Sequence, residues 1–161
     1  MKTLFLLRHA ESPMNAPTDR ERTLSDAGAA YSKTLGDKLR HMNRLPDFIY
    51  CSPARRTQET LKNLELKVHG EQPERLYNAP AGDLLHFIQS TKDSVNALMV
   101  IAHNPGIHAL AMMLMDNSDQ LKTSSLHYGY PPGSLTILDC PCESWRDIQP
   151  GENRLIELIM P

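Results

Sequence analysis

The sequence contains little of what marks several common protein classes. It has three cysteines, an odd number that cannot all pair, so it does not resemble a small secreted domain held together by disulfides. None of its apolar runs approaches the roughly 20 residues that a membrane-spanning helix needs. The formal net charge of −2 provides no basic excess for a nucleic-acid-binding face. We therefore expect neither a membrane nor a nucleic acid as a partner.

The same scarcity bears on compartment and metal content. The apolar start of the chain is interrupted by Arg8 before it reaches the roughly 7–15 apolar residues of a secretory signal. Cys140 and Cys142 lack the second cysteine or histidine pair that a structural zinc site of about four ligands requires. We predict reduced thiols, a cytoplasmic location and no metal.

What the sequence does contain is three short apolar runs separated by helical patterns. The runs are Leu4–Leu7, Phe48–Cys51 and Leu98–Ala102. Runs of this length that alternate with amphipathic segments are typical of buried parallel strands covered by helices on both faces. With no repeat, linker or low-complexity tract, residues 1–161 are predicted to form one α/β domain, a three-layer α/β/α sandwich with a mostly parallel central sheet.

Capping and turn residues predict the remaining elements. A first helix follows Ser25 as N-cap, and a second has Ser52 as N-cap with Pro53 at its first position. Further helices are expected from about Asp83 to Ser90 and after Gly106. Strands are expected at 134–139 and 154–159, and a short edge strand is a further candidate at 76–79. The connection 140–153 can hold a short strand of its own. The segment 117–127 is polar and gives no clear signal of secondary structure.

Each of the three apolar runs is followed by basic residues. Arg8 and His9 follow the first run, Arg55 and Arg56 follow the second, and His103 follows the third. Because the carboxyl ends of parallel strands share one edge, and ligands bind in the crevice outside that edge, these groups are expected to converge. Cationic groups in one crevice repel each other unless an anion occupies it, and phosphate is the expected anion.

The residue types suggest individual roles. His9 is the candidate nucleophile, with one ring nitrogen facing phosphorus and the other held by a carbonyl. Arg8 is expected to bind phosphate oxygens, and His103 to stabilise them from the opposite side, protonated when the anion is bound. At the start of a helix, Arg55 and Arg56 oppose the helix dipole, a conflict that a bound anion would relieve. Taken one at a time, each of these residues is also compatible with a purely structural strand-end or surface role.

These motifs resemble the histidine phosphatase superfamily, also called phosphoglycerate-mutase-like. The family's first block, Arg-His-Gly/Ala followed by Glu-Ser and an Asn, is matched by residues 8–15. Its second, Ser-x-x-x-Arg-Ala-x-x-Thr, is matched by Ser52, Arg56 and Thr60, with Thr57 where the family prefers alanine. Its third, an apolar strand followed by histidine, is matched at 100–103.

The resemblance implies a mechanism and selects Arg56 over Arg55. It implies that His9 becomes phosphorylated and is then hydrolysed by water, in a pocket formed with Arg8, Arg56 and His103. Ser12 and Asn15 would contact the phosphate or the substrate, and no metal or cofactor would be needed. The segment from residue 19 to residue 28 is similar to that of the small SixA-like phosphohistidine phosphatases.

Two departures from the wider family favour that branch. Sugar-phosphate enzymes of the family carry a long covering insertion between the second and third blocks, whereas here only residues 57–102 intervene. An open site suits a phosphorylated protein of the histidine phosphotransfer or phosphocarrier type; a small phosphorylated metabolite is the alternative partner.

The second departure is the absence of a glutamate that ester-cleaving relatives use as general acid in this interval. Imidazole leaves more easily than an alkoxide, so a phosphohistidine substrate tolerates that loss. Asp83 and Glu11 remain alternative proton donors. A module that binds a phosphorylated ligand without catalysis is the rival hypothesis from another class.

Overall fold

The computed structural model describes residues 1–116 and 120–161. Its strands are β1 (Lys2–Arg8), β2 (Phe48–Cys51), β3 (Gly70–Glu71), β4 (Ala97–Ala102), β5 (Leu135–Cys140) and β6 (Arg154–Ile159). Its α-helices are α1 (Asp26–His41), α2 (Arg55–Leu64), α3 (Ala81–Gln89), α4 (Gly106–Leu114) and α5 (Gln120–His127). Short 3₁₀ turns lie at Asp19–Glu21, Glu74–Leu76 and Trp145–Asp147.

The described strands form one mixed sheet in the order β3-β2-β4-β1-β5-β6. Strands β1 to β4 run parallel, while β5 is antiparallel to β1 and to β6. The prediction of an α/β fold with a mostly parallel central sheet is therefore confirmed. Because β1 and β4 are central neighbours, the residues that follow them lie side by side at one edge of the sheet.

Alternating side chains of β1 divide the core into two halves. Leu4 and Leu6 face a cluster that contains the apolar faces of α3 and α4. Phe5 and Leu7 face a second cluster, which contains the apolar faces of α1 and α2. Both faces of β1 are thus buried, which explains why its sequence is a continuous apolar run rather than an alternating one.

Two local predictions are wrong. The N-cap of α2 is Ala54 rather than Ser52, because the Ser52 hydroxyl bonds to the imidazole of His103 instead. The segment 76–79 is not a strand: the chain makes a 3₁₀ turn at Glu74–Leu76, and the edge strand is the two-residue β3. At Ser52, a contact distant in sequence outweighs the local capping signal.

The other elements follow the sequence closely. Ser25 caps α1 as predicted, with its Oγ accepting a hydrogen bond from the Gly28 amide at 3.0 Å. Helix α3 begins at Ala81, two residues before the predicted start, and β5 and β6 lie where strands are expected. Between β5 and β6 the chain makes a 3₁₀ turn and no strand. The polar segment includes α5, while 117–119 lie outside the described residues.

Within 1–116 and 120–161, no helix has the length and apolar character needed to cross a bilayer. The thiols of Cys51, Cys140 and Cys142 are unpaired.

Candidate active site

The three predicted strand ends meet at one edge of the sheet. Arg8 pairs with Ala102 in the β1–β4 ladder, and the His9 amide donates to the Ala102 carbonyl at 3.2 Å. The Ser52 amide, just after β2, donates to the Ile101 carbonyl at 2.9 Å. The backbone therefore brings the residues after β1, β2 and β4 into one crevice, as the parallel arrangement requires.

His9 is buried, with 6% of its surface exposed. Its Nδ1–H donates to the Ala10 carbonyl at 2.8 Å, since a carbonyl can only accept, and this leaves the lone pair on Nε2. Burial, together with the charges of Arg56 and Arg8, lowers the pKa of His9 to about 4, although its bond to the Ala10 carbonyl opposes the shift. The imidazole is therefore neutral at physiological pH with an unprotonated Nε2, the state that a nucleophile needs.

His103 lies opposite, with its ring centroid 5.4 Å from that of His9. Its Nδ1 is 3.1 Å from Nη2 of Arg56, and its Nε2 is 2.6 Å from Oγ of Ser52. Because a guanidinium only donates, Nδ1 accepts and Nε2 carries the proton. Burial and the charge of Arg56 lower the pKa of His103 to about 3, so it is neutral while the pocket holds no anion.

Arg8 and Arg56 complete the predicted set of four. Arg8 Nη1 donates to the Tyr130 carbonyl at 2.7 Å, and Arg56 is 3% exposed beside His103. The Nε atoms of both arginines are buried and have no hydrogen-bond partner among residues 1–116 and 120–161. Burial and the neighbouring guanidinium groups lower the pKa of Arg8. Arg55, in contrast, lies exposed and bonds to Glu59 at 3.0 Å.

An acidic residue that the sequence analysis did not assign organises the rim of the pocket. Asp19 Oδ2 accepts from Tyr77 Oη at 2.5 Å and from Arg56 Nη2 at 3.1 Å, while Oδ1 accepts from Arg22 Nη1 at 3.0 Å. The Tyr77 hydroxyl and the two guanidinium groups hold the pKa of Asp19 well below its usual range. The Tyr77 ring also packs edge-on against His103, at 5.7 Å between centroids.

The sequence marks the segments that contain Asp19, Arg22 and Tyr77 but does not identify the roles of these residues. Asp19 and Arg22 lie in or beside the segment that resembles the SixA-like branch, but nothing local shows that they contact Arg56. Tyr77 lies in the interval where a glutamate is missing. Their function depends on the path of a loop, which no periodic pattern predicts.

The two predicted substrate-binding residues have different surroundings. The Ser12 hydroxyl donates to the Thr23 carbonyl at 2.6 Å, so it holds the loop that follows the first block. Asn15 is exposed on that loop, and its side chain makes no hydrogen bond within the described residues. A role for either in binding stays a prediction.

The two alternative proton donors lie in other cavities. Glu11 accepts from Ser25 Oγ at 2.7 Å and borders an apolar cavity of about 360 Å³ beside Tyr31. Asp83 borders a cavity of about 380 Å³ with His86. In the described structure neither carboxylate makes a hydrogen bond to His9 or to His103.

The residues that follow β1, β2 and β4 thus form a pocket lined by two imidazoles and two guanidinium groups. The family model of the histidine phosphatase superfamily (branch 1) matches residues 4–84. The chain belongs to this superfamily, which confirms the resemblance found in the sequence.

Individual relatives agree with this assignment. An uncharacterized chloroplastic protein of Arabidopsis thaliana is 32% identical over 180 residues, covering 99% of this chain and 78% of that protein. A candidate phosphohistidine phosphatase SixA from Agrobacterium tumefaciens has a TM-score of 0.81 and 27% identity, covering 99% of this chain and 98% of the other. A candidate SixA from Nakamurella multipartitia has a TM-score of 0.88 at 23% identity, over 99% and 96% of the two chains, which shows a shared fold.

Proposed function

We propose that this protein is a cytoplasmic, metal-independent phosphatase that forms a phosphohistidine intermediate on His9 and acts on phosphohistidine in a partner protein. The observation that carries the proposal is the pairing of an unprotonated His9 Nε2 with His103, 5.4 Å away between ring centroids, beside two arginines with unused buried donors. Buried donors without partners are costly, and a phosphate oxyanion is the ligand that satisfies them.

The first chemical step is attack of His9 Nε2 on phosphorus. The new N–P bond forms as the bond to the leaving group breaks, and the arginines stabilise the charge on the equatorial oxygens. Water then attacks the phosphorylated His9, which regenerates the imidazole and releases phosphate.

The geometry couples anion binding to the protonation of His103. Without an anion, Arg56 Nη2 donates to His103 Nδ1, which keeps that nitrogen unprotonated. A phosphate that takes over the Arg56 donor frees Nδ1, and its negative charge favours a proton there. His103 then offers a second N–H to the bound anion, in the protonated state predicted from the sequence.

Two features favour phosphohistidine over a phosphate ester. The carboxylate at the rim, Asp19, is held ionised by its three donors, so it is a poor source of the proton that an alkoxide leaving group needs. In addition, residues 57–102 are used by α2, β3, the 74–76 turn, α3 and β4, with no inserted covering domain. The lack of a covering insertion favours a substrate side chain presented by a folded partner over an enclosed small metabolite.

A side-by-side substrate panel tests the proposal. The purified chain is incubated with phosphorylated histidine phosphotransfer and phosphocarrier proteins and with a panel of sugar phosphates and nucleotides. We expect the larger kcat/KM on a phosphohistidine protein, unaffected by exhaustive chelation. A strong preference for esters would instead support the small-metabolite alternative.

The rival hypothesis, a binding module without catalysis, is favoured only by the missing glutamate. It predicts binding of phosphorylated protein with no phosphate release. Steady, vanadate-sensitive release from any substrate would exclude it.

A further inference from the structure

The nucleophile and the rim carboxylate lie at different depths of the pocket. His9 is 6% exposed, whereas the side chain of Asp19 is 45% exposed. In phosphoryl transfer the nucleophile and the leaving group are roughly in line on opposite sides of phosphorus. A leaving group opposite the buried His9 therefore faces the solvent side, where Asp19 lies.

The Asp19 carboxylate can accept one more hydrogen bond. Its Oδ2 already accepts two hydrogen bonds, from Tyr77 and Arg56. Its Oδ1 accepts one, from Arg22. A carboxylate oxygen has two acceptor positions, so Oδ1 retains one that a substrate can use.

Resting on the proposed function, we infer that Asp19 is a specificity-determining residue that accepts a hydrogen bond from the distal ring N–H of the substrate phosphohistidine. Phosphohistidine has a ring nitrogen that is not bonded to phosphorus and carries a proton in the reactive imidazolium form. A phosphate ester of an alcohol or phenol has no such donor at this place. Asp19 thus distinguishes P–N from P–O substrates by a charge-assisted hydrogen bond.

This contact also explains how the leaving group departs without a general acid. The His9 Nε2–P bond forms, the substrate P–N bond breaks, and its electron pair goes to the departing ring nitrogen. Because the distal nitrogen keeps its proton, the product leaves as neutral imidazole and no proton has to be delivered to the departing atom. The Asp19 carboxylate favours the protonated ring that makes this possible.

The test compares Asp19→Asn with wild type on phosphoimidazole and on para-nitrophenyl phosphate. We expect the ratio of kcat/KM for phosphoimidazole to kcat/KM for the ester to fall by about tenfold or more, because only phosphoimidazole donates to Oδ1. The matched control is Glu21→Gln, which removes an acid from the same turn whose carboxylate bonds to Thr18 instead of to Arg56. Its ratio should equal that of wild type.

The ester also reports on folding and on the position of Arg56. An equal loss on both substrates would mean that Asp19 only positions Arg56, and an unchanged ratio would mean that it contacts no leaving group; either overturns the inference and leaves the proposed function standing. Wild type that hydrolyses the ester but no phosphohistidine would overturn the proposed function itself. If Asp19→Asn does not fold, Asp19→Ala is measured in the same way.

Discussion

At the residue scale, the main feature of the site is that cationic side chains lie close together. Two arginines and two histidines share one crevice, and each histidine responds by remaining neutral. Asp19 offsets part of the arginine charge from the rim. Under the proposed function, a phosphate dianion bound in this pocket relieves the repulsion among its cationic groups.

The lowered histidine pKa values predict a pH-dependent stability. Folding lowers the pKa from 6.5 to about 4 for His9 and to about 3 for His103. Below pH 6.5 the unfolded chain therefore takes up protons that the folded chain does not. Their contribution to stability is present above pH 6.5 and is lost as the pH falls toward the folded pKa values. Thermal unfolding measured across this range should show a Tm that falls as the pH is lowered from 6.5 toward 4.

Substitutions test whether His9 and His103 cause this dependence of Tm on pH. The double substitution His9→Asn and His103→Gln should flatten the dependence of Tm on pH between 6.5 and 4. The exposed His86, changed to Gln, serves as control and should leave the slope as in wild type. A slope that is unchanged in the double variant would show that these imidazoles are not held neutral.

At the element scale, helices α1 and α2 place the second block against the first. Gly36 of α1 lies directly against the end of α2, and an added Cβ would collide with the Leu64 carbonyl oxygen. Thr60 of α2 accepts from the Ala10 amide at 3.0 Å and donates to the Arg56 carbonyl at 2.8 Å. The helix that carries Arg56 is thereby fixed both to its neighbour and to the loop that follows His9.

The close approach of the two helices at Gly36 predicts that a larger residue there destabilises the fold. Gly36→Ala should lower the free energy of unfolding by about 1–3 kcal/mol, because the clash is with backbone and the helices must separate. Gly82→Ala, in the first turn of α3 with nothing within 4 Å of the added Cβ, is the control and should be neutral or stabilising by up to about 1 kcal/mol. Chemical denaturation measures both, and equal effects would argue against tight packing of α1 on α2.

Elements whose signals are local could be predicted from the sequence, and those that depend on distant partners could not. The apolar runs of β1, β2 and β4 and the Ser25 cap depend on neighbouring residues, and they lie where expected. The second N-cap was wrong because Ser52 bonds to a histidine 51 positions away. Likewise, Arg8, His9 and His103 could be inferred from strand ends and Arg56 from the family resemblance, whereas Asp19 required knowledge of how its loop folds back.

At the scale of the whole molecule, the strand order brings distant segments to one place. Strands β2, β4 and β1 are adjacent and parallel, so residues 8, 9, 56 and 103 converge although nearly a hundred positions separate the first from the last. The antiparallel β5 and β6 extend the sheet on the other side of β1. In the described part of the chain, no further domain is inserted between β2 and β4.

The proposed phosphohistidine intermediate is tested most directly by finding whether, and on which residue, the protein becomes phosphorylated. Wild-type protein is mixed with a phosphorylated histidine-carrier protein, quenched rapidly under alkaline conditions and mapped by mass spectrometry. We expect an acid-labile phosphoryl group on His9, with no label and no turnover in His9→Ala. Full turnover by His9→Ala, or a label on a different residue, would contradict it.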